Sequence, residues 1–288
     1  MNYPLQDFDE LKTVLREHFD NTGDMFWKMR TGSREKDWTL HETLAHLVAI
    51  AAALNIGADT ALRGEPEVVI DGVKERTDLR QWNDSQIEIR TQKTPAELLD
   101  DLEAELDKAE ATIKNITEEQ SEAKTFLKVY NRPARVVDMI DWQFSHPAVV
   151  HGSQVSRPMN ASPLWQHFSN DHIYRLVDRY TRQFSHAYWQ QYGVPEPRII
   201  NFTVEGESGG EWHLIASPDG GSANQGSVPV PDYHIVYKDP HTYFGVYSFH
   251  IQMQDALKSG DVKVKKGDME ELFSLISLYT ATPPKAAR

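Results

Sequence analysis

The stretch TLHETLAHLVAIAAALNIGADTALRG, residues 39–64, predicts one long buried helix. Thr39, followed three residues later by Glu42, has the pattern of an N-terminal capping box, and Gly64 ends the apolar run. His46 lies inside this apolar segment, where an unpaired polar ring would be costly. We therefore expect the helix to lie in the protein core, with His46 either hydrogen-bonded or bound to a metal.

Three further segments of the N-terminal half are typical of helices. Thr94, Pro95 and Glu97 form a strong helix-start signal, and apolar residues at helical spacing follow it. The N-terminus has the same periodicity, and a fourth long helix is predicted to begin near NRPAR. Four long helices predict an all-α four-helix bundle over residues 1–156, an architecture in which ligand and metal sites form between facing helices.

The residue pattern changes in the C-terminal half, where strand-like alternation joins the helical periodicity. Residues 157–162 are predicted to be a linker, and residues 163–288 a second, α+β domain. An aromatic-rich helix comes first. RIINFTVEG and GEWHLIASPDG then alternate apolar and polar residues and predict a hairpin, with strands expected at DYHIVYKDP and DVKVKKGD and a closing helix.

Composition restricts the possible functions. The 288 residues carry a formal net charge of −13, which argues against a nucleic-acid binder. Neither a signal peptide nor a membrane span is predicted, so we expect a cytoplasmic protein that acts on a small molecule; the oligomeric state stays open. Cysteine is absent, which excludes a thiolate metal site and a cysteine nucleophile. Any metal site must use His, Asp or Glu, and any thiol must come from outside.

The sequence HPAVVH, residues 146–151, contains two histidines five positions apart. On a regular α-helix such residues point roughly 140° apart, so they do not normally hold one ion. HETLAH has the same spacing and is therefore not the zinc-protease motif H-E-x-x-H. From spacing alone, at most one histidine of each such pair is expected to face a site.

Three segments of the N-terminal half resemble the DinB-like superfamily. DWTLHETLAHLVAI is similar to its second-helix motif, in which His46 matches a metal ligand. HGSQV is similar to the end of its fourth-helix motif, so that His151 matches the last ligand and Gln154 the glutamine that follows. QWNDSQIEIRTQKTPAELLDDLE resembles the third-helix region of the maleylpyruvate isomerase branch, which implies that Asn83 and Arg90 face the cofactor pocket.

The C-terminal half resembles a sterol-carrier-protein-2-like (SCP2-like) domain, most specifically in ALKSGDVKVKKGDM. A DinB-like bundle followed by such a domain is the architecture of the mycothiol-dependent maleylpyruvate isomerases. SCP2-like domains often enclose an apolar tunnel. Seven apolar side chains are therefore expected either to contact a lipid-like ligand or, as we favour, to fill the core: Phe202, Trp212, Ile235, Tyr243, Phe244, Phe249 and Leu257.

The chain departs from the DinB-like pattern at Pro147, which stands where the second ligand is expected. Proline cannot bind a metal, but it also disrupts helical hydrogen bonding, and a π-helical turn accommodates one extra residue. A wider turn would bring His146 to the face of His151, which predicts the metal ligands His46, His146 and His151. The alternatives are Asp141 or a water as third ligand, or a degenerate site without metal.

Three imidazoles with open positions suit Zn²⁺ first, with Ni²⁺ or Fe²⁺ as alternatives. The resemblance implies a metal-dependent isomerase or transferase that uses mycothiol or another low-molecular-weight thiol on a small activated, for example unsaturated, substrate. The residues leave two other hypotheses open, a metal-dependent hydrolase on the same bundle and a non-enzymatic binder of apolar small molecules. Asp138 and Asp141 are the nearest carboxylates that would orient the ligands, although solvated carboxylates on the helix face are the simpler expectation. No catalytic residue is identified.

Overall fold

The computed structural model describes residues 3–32, 37–70, 73–74 and 78–279. The chain divides into two compact units, Met1–Phe168 and Ser169–Arg288. The first is helical apart from one short strand pair, and the second is built around a mixed β-sheet.

Two helices of the first unit, Leu40–Leu62 and Pro95–Asn115, begin where local sequence signals predict. Thr39 and Thr94 each form a complete capping box with the glutamate three residues on, and Pro95 occupies the first turn of its helix. The elements are α1 (Gln6–Asp20), α2 (Leu40–Leu62), α3 (Leu79–Arg90), α4 (Pro95–Asn115), α5 (Glu118–Ser121), β1 (Lys124–Thr125), β2 (Ala134–Arg135), α6 (Val136–Ser145), a π-helical turn (His146–Val150) and α7 (Gly152–Ser156).

Helix α2 is the core of the first unit. It packs against α3, α4 and α6, and most of its residues are buried. By length and composition α2 is also apolar enough to cross a membrane, but 83% of its apolar window is buried inside the protein, as in the core helix of a globular domain.

A buried polar chain joins three helices of this core. Gln143 of α6 donates to the carbonyl of Ala51 and to Asn55 Oδ1, both on α2, at 3.0 and 3.2 Å. Asn55 in turn donates to the backbone carbonyl and the carboxylate of Glu105 on α4. Because buried polar groups must be paired, this chain favours one register of α2 against α6 and α4.

The second unit begins with the long helix α8 (Asn170–Ala187), which lies against β4 and β5. The sheet has the order β5-β4-β3-β6-β7; β3 and β6 are parallel, and the other pairs are antiparallel. Its elements are β3 (Arg198–Val204), β4 (Gly210–Ser217), β5 (Gly220–Gln225), β6 (Tyr233–Tyr237), α9 (Pro240–Tyr247), α10 (Met253–Ser259), β7 (Val262–Lys266) and α11 (Met269–Ile276).

The predicted hairpin is β3–β4, with Phe202 opposite Trp212. The strands predicted at DYHIVYKDP and DVKVKKGD are β6 and β7. Strand β5 was not predicted from its sequence GGSANQ, which has little β propensity. Its place follows from packing, because a Cβ on Gly221 would lie 2.8 Å from that of Tyr188. Only glycine allows that approach.

Aromatic side chains fill the core of the second unit. Tyr237 and Tyr247 share a hydrogen bond of 2.7 Å, and so do Thr181 and Tyr243. Of the seven apolar residues singled out in the sequence, five are fully or almost fully buried, Phe249 is 48% exposed and Leu257 is half-buried. The five buried ones behave as core residues.

The boundary between the units lies after Phe168, whereas the sequence predicted a linker at 157–162. The reason is packing: Leu164 and Trp165 are buried, and a Cβ on Gly152 of α7 would meet both side chains. Residues 157–168 therefore belong to the first unit.

Candidate metal centre

Three histidine side chains converge in the core of the first unit. His46 lies on α2, His146 opens the π-helical turn, and His151 follows that turn. Their ring centroids are 5.1 Å (His46–His146), 5.0 Å (His46–His151) and 4.7 Å (His146–His151) apart. Each ring offers one nitrogen within 4.8 Å of the corresponding nitrogens of the other two. We call these residues the three-histidine cluster.

The π-helical turn brings His146 and His151 together. The backbone N–H of His151 donates to the carbonyl of His146, five residues back, at 3.1 Å. Pro147 has no N–H and cannot complete an α-helical ladder at this point. The wider winding predicted from the sequence HPAVVH is thus confirmed, and it offsets the divergence that a five-residue spacing has on a regular α-helix.

All three rings are buried, with 4 to 7% of each residue exposed. Burial lowers the pKa of His151 to about 4 and lowers the pKa values of His46 and His146 well below 6.5, and the neighbouring histidines add to the effect on these two. The rings are therefore neutral at pH 7, the form in which imidazole binds a metal.

Gln154 determines which nitrogen of His151 faces the cluster. Its Oε1 lies 2.8 Å from His151 Nδ1, and because an amide oxygen only accepts, Nδ1 carries the proton and donates. Nε2 of His151 then keeps its lone pair. The predicted pocket residue Gln154 thus contacts a candidate ligand directly.

His46 offers a nitrogen that lacks a protein partner. Its Nδ1 is buried and forms no hydrogen bond within the part of the chain that the structure describes. A buried ring nitrogen without a partner is costly, and a cation bound by the cluster would satisfy it. Three neutral imidazoles from two helices, with one such free nitrogen, are a donor set that fits Zn²⁺ or a similar divalent ion.

The sequence did not single out the wall of the cluster. The indole ring of Trp38 lies 4.6 Å from the His46 ring and 6.5 Å from the His151 ring, centroid to centroid. Trp142 lies 5.8 Å from His146 on the α6 side. In the sequence Trp38 belongs to the segment that resembles the DinB-like second-helix motif, but no role at the site was predicted for it.

The two aspartates of α6 are buried, which differs from the expectation of solvated carboxylates. Asp138 and Asp141 are only 2% and 1% exposed, so they are not solvated carboxylates. Asp138 caps the start of α6 and pairs with the Arg135 guanidinium, and Asp141 accepts a hydrogen bond of 2.8 Å from the hydroxyl of Tyr3. The residue seen to orient a histidine of the cluster is Gln154.

Asn83 and Arg90, the other predicted pocket residues, both lie on α3, which packs against α2. Asn83 is buried, and its Oδ1 has no hydrogen-bond partner among the described residues. Arg90 is half-buried, donates to Gln86 one turn earlier, and has a pKa lowered by burial. Their assignment to a cofactor pocket stays a prediction.

No protein-family profile and no curated protein matches the chain. Several solved structures do, among them two of the mycothiol-dependent maleylpyruvate isomerase. One is a mutant with a histidine replaced by alanine, with a TM-score of 0.53, and the other has a TM-score of 0.50. Each is 11% identical to this chain, and the match covers 92% of both chains. At this level of identity the likeness concerns the fold alone, and the chain shares the fold of the mycothiol-dependent maleylpyruvate isomerase.

Proposed function

We propose that this protein is a metal-dependent enzyme that uses an external low-molecular-weight thiol, such as mycothiol, in the isomerisation of a small unsaturated substrate or in a related transfer. The observation that carries the proposal is the convergence of His46, His146 and His151 through the π-helical turn. The shared fold with a mycothiol-dependent isomerase supports the thiol and the reaction class.

Each member of the site has a role in this proposal. The neutral rings of the three-histidine cluster hold a divalent cation, preferably Zn²⁺. Such a cation would lower the pKa of a coordinated thiol and hold it as thiolate near neutral pH. Gln154 keeps the His151 ring in the tautomer that presents Nε2. The buried surroundings exclude water, so that a thiolate held there would be a strong nucleophile.

The proposal extends to the architecture. We assign the helical unit to a DinB-like four-helix bundle and the sheet-containing unit to an SCP2-like domain, in a cytoplasmic enzyme with a small-molecule substrate. Asn83 and Arg90 are proposed to bind polar groups of the thiol or of the substrate. Both are donors, the arginine is cationic, and the Asn83 side chain has an unused acceptor oxygen.

Metal analysis of the purified chain tests the first step. We expect one divalent ion per chain, and we expect His46→Ala to lose it. His41→Ala is the matched control, since His41 lies on the same helix but its Nε2 is paired with the carbonyl of Lys93 at 2.8 Å. A His46→Ala protein that folds and keeps its ion would contradict the metal site.

A second measurement separates the three hypotheses. The thiol-dependent enzyme should lose turnover of an unsaturated dicarboxylate when thiols are removed and should regain it when a thiol is restored. A hydrolase on the same cluster would be indifferent to thiols. A non-enzymatic binder would retain an apolar ligand through purification whatever its metal content. The aromatic side chains of the second unit are buried, which favours the interpretation that they pack against one another and do not line a ligand tunnel.

A further inference from the structure

The side chain of Trp38 has a polar group that the fold leaves unused. Only 2% of the residue is exposed, and its Nε1–H is buried without a hydrogen-bond partner in the part of the chain that the structure describes. Tryptophan that is buried usually finds a partner for this group. The indole that carries this unused donor lies against His46 and near His151, so it forms part of the wall of the three-histidine cluster.

A set of backbone contacts holds Trp38 in this position. The N–H and the hydroxyl of Thr31 both donate to the carbonyl of Trp38, at 2.8 and 3.0 Å. Arg157 donates to the carbonyls of Thr31 and Gly32, at 2.6 and 3.1 Å. Arg157 directly follows α7, the helix that begins after His151. The segment from 151 to 157 therefore contains both a candidate metal ligand and the arginine that binds the backbone near Trp38.

The same contacts require glycine at position 32. Gly32 has φ +70°, and a Cβ there would collide with the guanidinium of Arg157. The segment is thus shaped to let Arg157 reach its carbonyl groups. This arrangement holds the backbone segment that carries the indole.

We propose that Trp38 is a ligand-binding residue, whose Nε1–H donates a hydrogen bond to the small anionic ligand, a thiolate, that binds at the three-histidine cluster. The inference rests on the proposed function, because it takes the cluster to hold a cation with a free coordination position. A thiolate sulfur is an acceptor, and a hydrogen bond to the charged form stabilises that form. The buried donor would then be paired whenever the ligand is bound.

The test separates binding of the metal from binding of the thiol. Co²⁺ replaces the native ion in the full-length protein, and 2-mercaptoethanol is titrated while the thiolate-to-cobalt absorption is followed. Trp38→Phe keeps an aromatic ring beside His46 but removes the N–H. We expect its affinity for Co²⁺ to be unchanged and its affinity for 2-mercaptoethanol to fall about tenfold, the effect of one charge-assisted hydrogen bond. Trp27→Phe is the matched control, since Trp27 stacks on Phe19 and should affect neither affinity.

Each outcome has a distinct meaning. If the wild-type protein binds no Co²⁺, the metal site fails and this inference fails with it. If Co²⁺ binds and Trp38→Phe binds 2-mercaptoethanol as tightly as the wild type, the inference is overturned and the metal site stands.

A second measurement follows the tryptophans of the wild-type protein directly. The zinc-loaded wild type has seven tryptophans, and their indole N–H groups give separate signals in a ¹⁵N–¹H correlation spectrum. One signal should move downfield when 2-mercaptoethanol is added, and that signal should be absent from the Trp38→Phe spectrum where this protein folds. A spectrum in which no indole signal responds to the thiol would overturn the proposal.

Discussion

At the scale of single residues, whether a histidine nitrogen is free to bind a metal depends on the hydrogen bond made by the other nitrogen of the same ring. Gln154 accepts from His151 Nδ1 and so leaves Nε2 to the cluster. His46 forms no side-chain hydrogen bond within the described chain, so no protein group orients its ring in the same way. The two rings are therefore fixed to different degrees, and His151 is the better-oriented ligand before any ion binds.

Replacing Gln154 tests this orientation. Gln154→Leu removes the acceptor and should weaken Zn²⁺ or Co²⁺ binding about 10- to 100-fold, the usual effect of losing a group that orients a ligating histidine. Gln154→Glu keeps an acceptor at the same place and should restore most of the affinity. Competition titration with a chelating dye measures both. Equal metal affinity in the wild type and Gln154→Leu would show that this hydrogen bond does not control how His151 binds the ion.

His18 makes the stability of the first unit depend on pH. Burial lowers its pKa from 6.5 to about 4, although its ring lies 3.4 Å from the carbonyl of Val155. Between these two pH values the unfolded chain binds a proton that the folded chain does not. The contribution of His18 to the free energy of unfolding is therefore fully present above pH 6.5. It is lost as the pH falls towards 4, a decrease of about 3 kcal/mol.

Denaturant titrations of the wild type and of His18→Gln from pH 7.5 to pH 4.5 measure this contribution. The variant should lose less free energy of unfolding across that range, because glutamine does not titrate. The buried rings of the three-histidine cluster titrate in both proteins, so they cancel in the difference. Parallel pH profiles for the two proteins would argue against a depressed pKa at His18.

The residues of the candidate site differ in how far the sequence reveals them. His46 stands out because a polar ring in an apolar helix demands a partner. His146 and His151 were selected through the DinB-like resemblance and the wider turn expected at Pro147. The role of Trp38 is not visible in the sequence, although the residue belongs to the DinB-like motif, because an aromatic side chain in a core carries no local sign of what it faces. Asp138 departs from the simpler expectation of a solvated carboxylate, because it is buried, caps α6 and pairs with Arg135. Its burial is set by tertiary packing, which no local pattern shows.

At the scale of elements, local rules account for most boundaries. The capping boxes at Thr39 and Thr94 and the β3–β4 hairpin were predicted, since side chains within a few residues determine them. Strand β5 was missed, because Gly221 is explained only by the approach of Tyr188 from another element. The π-helical turn was predicted because Pro147 and the histidine spacing are both visible in the sequence.

Deleting Pro147 tests the role of the π-helical turn, because it removes both the extra position and the residue that interrupts the α-helical hydrogen bonds. The turn accommodates one extra residue, so a chain shortened by one is expected to form a regular α-helix there. The two histidines would then be four residues apart, about 40° around the helix, and would still share a face. We expect the variant to fold with an unchanged circular dichroism spectrum and to bind Co²⁺ within about tenfold of the wild type.

Adding His146→Ala to the deletion variant provides the control. Binding of Co²⁺ should then fall sharply, because the same histidine serves as ligand in both backgrounds. A deletion variant that folds but no longer binds Co²⁺ would show that the π-helical geometry itself, and not only the shared face, is needed.

At the scale of the molecule, the candidate ligands link segments far apart in the chain. His46 lies on α2, and His146 and His151 lie about a hundred residues later, between α6 and α7. All three belong to the first unit. An ion bound there would stabilise the folded state only to the extent that it prefers this cluster to the unfolded chain.

Zinc should therefore raise the stability of the first unit and do so locally. At a free zinc concentration of a hundred times Kd, the free energy of unfolding should rise by about 2.7 kcal/mol, which corresponds to roughly 5 to 10 °C in Tm. Hydrogen exchange should slow most in Leu40–Leu62 and in residues 136–156, because opening either segment releases the ion. Exchange in the strands β3 to β7 should not change, since that unit holds none of the three ligands. His46→Ala should abolish the zinc effect. Equal slowing of exchange in both units, or slowing that persists in His46→Ala, would place the ion elsewhere.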